Sequence, residues 1–368
     1  MKILCRILPL LGCLFIEHSR YVQSFSIIPS IRNTSIGDRH RQGRNSQEQY
    51  EAKVTRHSTS SGEEGSTTTV TSRRQTLDSI TKGIISSSVV SSLLFKTHST
   101  IATDIPVPIV TREHPIAIIG GGGRTGMAVA EILAGEEGKM NGVTMTRSGK
   151  DPYQVVKLPP AVKERLRHFE KPVDVRDAEG VLKAMKEISP SVVVYAASAS
   201  KQGGNSFDVD DKGVENAARA CKDVGAKFIL ISALAVDRPD SKSFKITNTI
   251  GGYMDKIMDA KLNGEMKTRE IMGKDYIIIR PGVLLSGKSL KGAADIELNQ
   301  GDTIGGGLSR DELAGVVMGA IQSGKSGITV EAYRTKTATK LEPELPIPSG
   351  NELKASSYSE LFANSKSD

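Results

Sequence analysis

Ile116-Ala117-Ile118-Ile119-Gly120-Gly121-Gly122-Gly123-Arg124-Thr125-Gly126 is the stretch that decides how this chain folds. Four consecutive apolar residues read as a buried strand, and the glycines follow at once. Met127 to Ala134 then places apolar residues at Met127, Val129, Ala130 and Leu133, a helical spacing. Strand, glycine turn and helix in immediate succession is the context in which such a motif binds a dinucleotide. Gly120 permits the tight turn, Gly123 lets backbone approach a pyrophosphate, and Gly126 lets helix and strand pack closely. Peptide N–H groups at the positive end of the helix dipole would hold the phosphates, which makes Gly120, Gly123, Arg124, Thr125 and Gly126 candidate cofactor contacts.

The next strand, Val143 to Arg147, bears on which nucleotide binds. Sites for NAD usually end this strand in a carboxylate that binds the ribose hydroxyls. Here it ends in Arg147-Ser148, with Lys150 close by and Arg124 within the loop. A carboxylate repels a 2′-phosphate, whereas a guanidinium binds it through two charge-assisted hydrogen bonds, so NADP(H) is favoured over NAD(H). The alternative is that Arg147 is a solvated strand-end residue.

Working outward, Asp174-Val175 is placed to border the adenine pocket, and Asp177 to cap a helix running to about Ile188. Val192 to Tyr195 is a buried strand that ends in Ala196-Ala197-Ser198, small residues beside which a cofactor can lie. Lys212 to Val224 reads as helix, Phe228 to Ile231 as a strand followed by Ser232, and Tyr276 to Arg280 as a strand followed by Pro281-Gly282. Apolar strands alternating with amphipathic helices imply an α/β fold, a Rossmann-type doubly wound parallel sheet in a single domain over residues 105–335. Ligands in such sheets sit beyond the carboxyl ends of the strands, where Gly120–Gly126, Ala196, Ser232 and Pro281 fall.

The net charge of +7 does not argue for a polyanion partner, because the first 104 residues supply +5 of it. Nucleic acid is not an expected partner. Cys5 and Cys13 precede the domain, which leaves Cys221 as its one thiol, read as helix packing. The six histidines and the cysteines have no metal-site spacing, so no metal is expected. Ile3 to Ile16 is too short to span a bilayer comfortably, and Val22-Gln23-Ser24 suits signal peptidase, giving a signal peptide over residues 1–24. Phe25 and the basic, hydroxyl-rich stretch after it resemble the two-part presequence of algae with red-derived secondary plastids. The transit region is read as residues 25–104; within it Ser72-Arg73-Arg74-Gln75-Thr76-Leu77, ahead of Gly83 to Phe95, looks like a twin-arginine thylakoid signal. The expected location is the plastid, stroma ahead of thylakoid lumen; an ordinary secreted protein with a linker is the alternative. Membrane association is expected to be peripheral at most. Residues 336–368, polar and proline-containing, read as a disordered tail.

From about His114 to Tyr333 the chain resembles the atypical short-chain dehydrogenase/reductase family, in its plastid and isoflavone-reductase-like branches. The resemblance rests on the glycine loop, Asp211-x-Gly213-Val214, Ile229-Leu230-Ile231-Ser232 and Leu308 to Ala314. Most distinctive is Lys261-x-x-x-Glu265 followed by Asp275 to Gly282. The likeness implies a strand order 3-2-1-4-5-6-7 and a Ser-Tyr-Lys site, with cofactor contacts that include Ala196, Ala197, Ser198, Lys261, Pro281 and Gly282. Ser232 and Lys261 match that site, but Ile257 stands one turn before Lys261 where the tyrosine belongs, and Tyr253, a further turn away, is expected to pack. Two readings follow. In one, Lys261, lowered in pKa by desolvation, transfers the proton itself while Ser232 polarises a small carbonyl, enone or quinone-like substrate. In the other, the protein is a catalytically weak NADP(H)-dependent sensor or assembly scaffold for a photosynthetic, thylakoid-associated complex. Met254 to Asn299 is expected to form a substrate lid, and Lys201 to Asn205 a mobile loop beside the cofactor.

Overall fold

A computed structural model of the protein describes residues 107–287, 292–345 and 355–368. The signal peptide, transit region and twin-arginine segment expected from the sequence lie outside the described residues. The first half alternates strands and helices: β1 (Ile116–Ile119), α1 (Arg124–Ala134), β2 (Gly142–Met145), α2 (Pro160–Arg165), β3 (Leu166–Phe169), α3 (Ala178–Ile188) and β4 (Val192–Tyr195). A π-helical turn (Phe207–Gly213) runs into α4 (Val214–Asp223), followed by β5 (Lys227–Ile231), α5 (Lys242–Asn248), α6 (Ile257–Met272) and β6 (Tyr276–Pro281). Then come β7 (Val283–Leu285), β8 (Ile296–Asn299), β9 (Ile304–Gly305), β10 (Gly307–Ser309), α7 (Arg310–Gln322), β11 (Ile328–Arg334) and β12 (Thr339–Lys340).

The central sheet has the order β3-β2-β1-β4-β5-β6-β11-β8. The first six positions are those the sequence implied. β7 leaves the sheet to pair with β10, so β11 takes the seventh position in parallel with β6, and β8 closes the edge antiparallel to β11. Successive side chains on a strand point to opposite faces, and the core divides accordingly. Ile116 and Ile118 of β1 pack with Val129 and Leu133 of α1 and Val317 of α7, while Ala117 and Ile119 pack on the other face with Met185 of α3 and Ala217 and Cys221 of α4. Each such large aliphatic side chain taken from water contributes about 1.5–3 kcal/mol. Cys221 is buried and burial pushes its thiol pKa up, which suits packing. Asp177 caps α3 by accepting from the Gly180 N–H at 3.1 Å, and Ser309 with Glu312 forms a capping box on α7.

Three sequence expectations change. Residues 355–368 are not a disordered tail: Ala355, Tyr358, Leu361 and Phe362 are buried in the α1–α7 core. The Asp368 carboxylate accepts from the Thr329 N–H at 2.9 Å and hydroxyl at 2.6 Å and from the Tyr276 hydroxyl at 2.9 Å. A polar average concealed well-spaced apolar anchors. Met254 to Asn299 is not one lid, since it contains α6 and the central strand β6. The helix read from Lys212 begins earlier, at Phe207, with the π-helical turn.

Candidate functional site

The loop between β1 and α1 is built as its glycines require. Gly120 has φ +78°, and a Cβ there would lie 2.7 Å from the Ala197 nitrogen. A Cβ on Gly126 would overlap the Gly120 carbonyl oxygen, so only glycine lets α1 start this close to the turn. The Gly123 N–H donates to Gly120 O at 2.9 Å, and the Gly121 N–H to Met145 O at 3.0 Å, which pins the loop to β2. α1 begins at Arg124 with Gly123 as N-cap and no side-chain cap. The loop borders a groove of about 940 Å³, open mouth included.

Gly120, Gly123, Arg147, Ser148, Asp174, Val175, Ala196, Ala197 and Ser198 all line this groove, brought together from the ends of four strands. Arg124, Thr125 and Gly126 do not line it; they form the first turn of α1 behind the bare loop backbone. Pro281 and Gly282 are also elsewhere. Both are buried, with Pro281 O accepting from the Leu234 N–H at 3.1 Å and the Gly282 N–H donating to Ala332 O at 2.9 Å. Arg147 is exposed at the groove edge, beside the loop that carries Ser200 and Gly203. Asp174 accepts from Arg176 Nε at 2.9 Å and Nη2 at 2.6 Å, and these bonds hold its carboxyl below the usual range.

Ser232 and Lys261 line a second, closed pocket, with no room for a water molecule as it stands, together with Tyr195 and Asp210. Lys261 is not the lone desolvated lysine the sequence suggested. Its Nζ donates to Asp210 Oδ1 at 2.7 Å, and the side chains are 14% and 2% exposed. Ser198, on the groove, donates from its hydroxyl to the same Oδ1 at 2.8 Å, and the Ala199 N–H donates to Oδ2 at 2.8 Å. Asp210 therefore stands between the two cavities. Ser232 Oγ is buried with no hydrogen-bond partner, an unmet requirement that a ligand oxygen would satisfy. Ile257, where the tyrosine is missing, is 2% exposed and packs with Ala235, Val236, Phe244 and Met258. Tyr253 does not pack as expected: it is 37% exposed.

The residues fit a dinucleotide. Gly120, Gly122 and Gly123 present bare backbone along the groove, the surface that close approach of a pyrophosphate needs, at the start of an uncapped helix. Among the described residues no group of three or more His, Cys, Asp or Glu side chains could hold a metal ion.

The sheet order and this groove define a dinucleotide-binding α/β protein. Residues 120–323, more than half of the chain, match the profile described as NAD(P)H-binding, and the chain belongs to that family. The likeness to atypical short-chain dehydrogenases/reductases accords with that membership. No curated protein sequence matches the chain. Similar solved structures include the oxidoreductase ylbE from Lactococcus lactis, 18% identical, covering 61% of this chain and 92% of that one with a TM-score of 0.46. A short-chain dehydrogenase/reductase (wide type) from Veillonella parvula in complex with NADP is 15% identical, with 63% and 99% coverage and a TM-score of 0.45. The Bordetella bronchiseptica enzyme WbmG in complex with NAD is 16% identical, with 69% and 90% coverage and a TM-score of 0.44.

Proposed function

We propose that the protein is an NADP(H)-dependent reductase of a small carbonyl, enone or quinone-like compound that works without the usual tyrosine. The observation that carries this reading is the placement of Lys261 and the unpartnered Ser232 hydroxyl in one pocket, which Asp210 links to the dinucleotide groove through Ser198. The nicotinamide supplies the hydride when bound. Ser232 donates a hydrogen bond to the substrate oxygen, and the Lys261 ammonium supplies the proton that this oxygen takes up. Arg147 and Ser148 at the groove edge support the preference for the 2′-phosphate. The test is NADPH oxidation by the purified protein against a panel of quinones and enones. Lys261→Ala should lower turnover by roughly 10²-fold or more, the usual worth of a positioned acid. Turnover indifferent to Lys261→Ala removes the reading. Arg147→Ala should weaken NADPH roughly tenfold and leave NADH unchanged, as measured by fluorescence titration.

One observation favours a second reading. Ser232 Oγ has no exposed surface, so a substrate reaches it only if the pocket opens. Under this reading the protein binds NADP(H) without turnover and serves as a redox sensor or assembly scaffold for a photosynthetic complex. Tight NADPH binding with no turnover on the panel, together with co-purification with a thylakoid complex, supports it. The plastid stroma is the proposed location, supported by the two-part leader. A fluorescent reporter fused behind residues 1–104 should enter the plastid; a secreted reporter overturns this.

A further inference from the structure

Asp210 is a buried acid for which the glycine loop has no use and which the family pattern did not single out. Its two oxygens take three donors from two separate parts of the chain: Lys261 Nζ of α6 at 2.7 Å, and the Ser198 hydroxyl and Ala199 N–H behind β4, each at 2.8 Å. One partner, Ser198, lines the dinucleotide groove, and the other, Lys261, lines the pocket holding the Ser232 hydroxyl. We propose that Asp210 is a positioning residue that couples the two cavities, so that seating NAD(P)H against Ser198 and placing the Lys261 ammonium depend on each other.

Local architecture is arranged around this contact. The π-helical turn sets Asp210 apart from the regular helix that follows; such turns carry an extra residue and recur at functional sites. The Tyr195 hydroxyl donates to Val209 O at 2.6 Å and fixes the turn just before Asp210. On the other side, Gly264 of α6 lies one turn beyond Lys261, and a Cβ there would overlap the Asp210 carbonyl oxygen. Bare backbone at Gly264 is what lets α6 come close enough for Lys261 to reach the carboxylate. Anchoring α6 does not require this pair, because Arg280 already grips Glu265 of the same helix with two bonds, at 3.0 and 2.7 Å.

A carboxylate between two donors transmits displacement. Drawing Ser198 toward a bound nucleotide changes the charge density that Oδ1 offers Lys261, and shifting Lys261 changes what Oδ1 offers Ser198. Ser198 and Lys261 share Oδ1 as their common acceptor. Residues that share a partner show non-additive mutational effects, whereas independent sites add.

The experiment is a double-mutant cycle on full-length protein, read as the NADPH dissociation constant from fluorescence titration. Ser198→Ala and Lys261→Met are made singly and together, in the wild-type and the Asp210→Asn backgrounds. The expected result is a departure from additivity of about threefold or more in the wild type that disappears once Asp210→Asn has removed the shared charge. Additive effects in the wild type, or a coupling that persists in the Asp210→Asn background, overturn the proposal. A merely structural role for Asp210 would lower the melting temperature without producing that pattern. Should Asp210→Asn fail to fold, the cycle in the wild-type background decides alone. For the reductive role the proposal rests on Lys261 as proton donor, and Ser198→Ala is then expected to lower kcat as well as affinity. If the wild type reduces none of the panel, the reductase reading fails while the cycle on NADPH affinity still tests the coupling.

Discussion

Helix α6 carries two buried ionic groups one turn apart, and they are built differently. At Lys261 there is one cation and one carboxylate, Asp210, at the seam of two cavities. At Glu265 the setting is closed: Arg280 binds Glu265 through two bonds, Glu331 at 3.4 Å, and lies 3.8 Å from Asp302. All three carboxylates there are 0% exposed, so negative charge outnumbers what Arg280 supplies, with Arg269 at the rim adding one contact to Glu265. The difference teaches which group is site and which is scaffold. A balanced pair beside the groove can respond to a ligand; an overcrowded cluster of fully buried carboxylates holds elements in register.

Removing the central cation should show the largest contrast. Arg280→Met leaves Glu265, Glu331 and Asp302 buried without their common partner, and the loss should be about 3–5 kcal/mol, read as a melting temperature lower by roughly 10 °C. Lys261→Met leaves Asp210 its two other donors and should cost clearly less. Equal losses would erase the distinction between scaffold and site.

The overcrowding also has a pH signature. Burial, with the Asp302 charge beside it, pushes Glu331 from 4.5 up to about 8, and its Oε2 has no hydrogen-bond partner. The folded protein thus holds a proton that the unfolded chain releases between those two values. Stability contributed by Glu331 is therefore present at low pH and declines as pH rises toward 8, with a slope of roughly 1 kcal/mol per pH unit. Glu331→Gln should flatten chemical-denaturation stability between about pH 5.5 and 7.5 and raise it at the upper end; an unchanged slope would assign the proton elsewhere in the cluster. The smallest effect belongs to the site. Ser232→Ala removes a buried hydroxyl without a partner, so stability should hold or rise by up to about 1 kcal/mol while carbonyl reduction falls. A loss of stability at this position would mean that the hydroxyl is satisfied within the protein.

How much of this could be read beforehand depended on sequence distance. The groove is local: Ile116 to Gly126 states strand, turn and helix within one short stretch, and the apolar runs at Val192, Phe228 and Tyr276 became the adjoining strands. Glu265 and Arg280 stood out as a pattern, but their reason, the two-bond grip, appears only in three dimensions. Asp210 was not legible, because a carboxylate inside a helical stretch resembles any solvated one until a lysine 51 positions later folds onto it. The packed end of the chain was missed because composition averages away Tyr358, Leu361 and Phe362, and Tyr253 was expected to pack because it stands two turns before Lys261, a spacing that says nothing of its exposure. Arg124, Thr125 and Gly126 were chosen as part of the glycine motif and helix start, and Pro281 and Gly282 as residues beyond a strand end; none of the five lines the groove.

The grip of Arg280 on Glu265 has a bearing on how this protein can be altered. It fixes the rotation of α6, and with it the backbone from which Lys261 extends, since Glu265 lies one turn on along the same face of the helix. Re-aiming the lysine is therefore a closed route to new specificity. Diversification has to come from the facing wall, in the segment that follows β4; the segment after β5 is tied to the clamp, with Asp237 3.9 Å from Arg280 and the Ala235 and Asp237 N–H groups donating to Asp302.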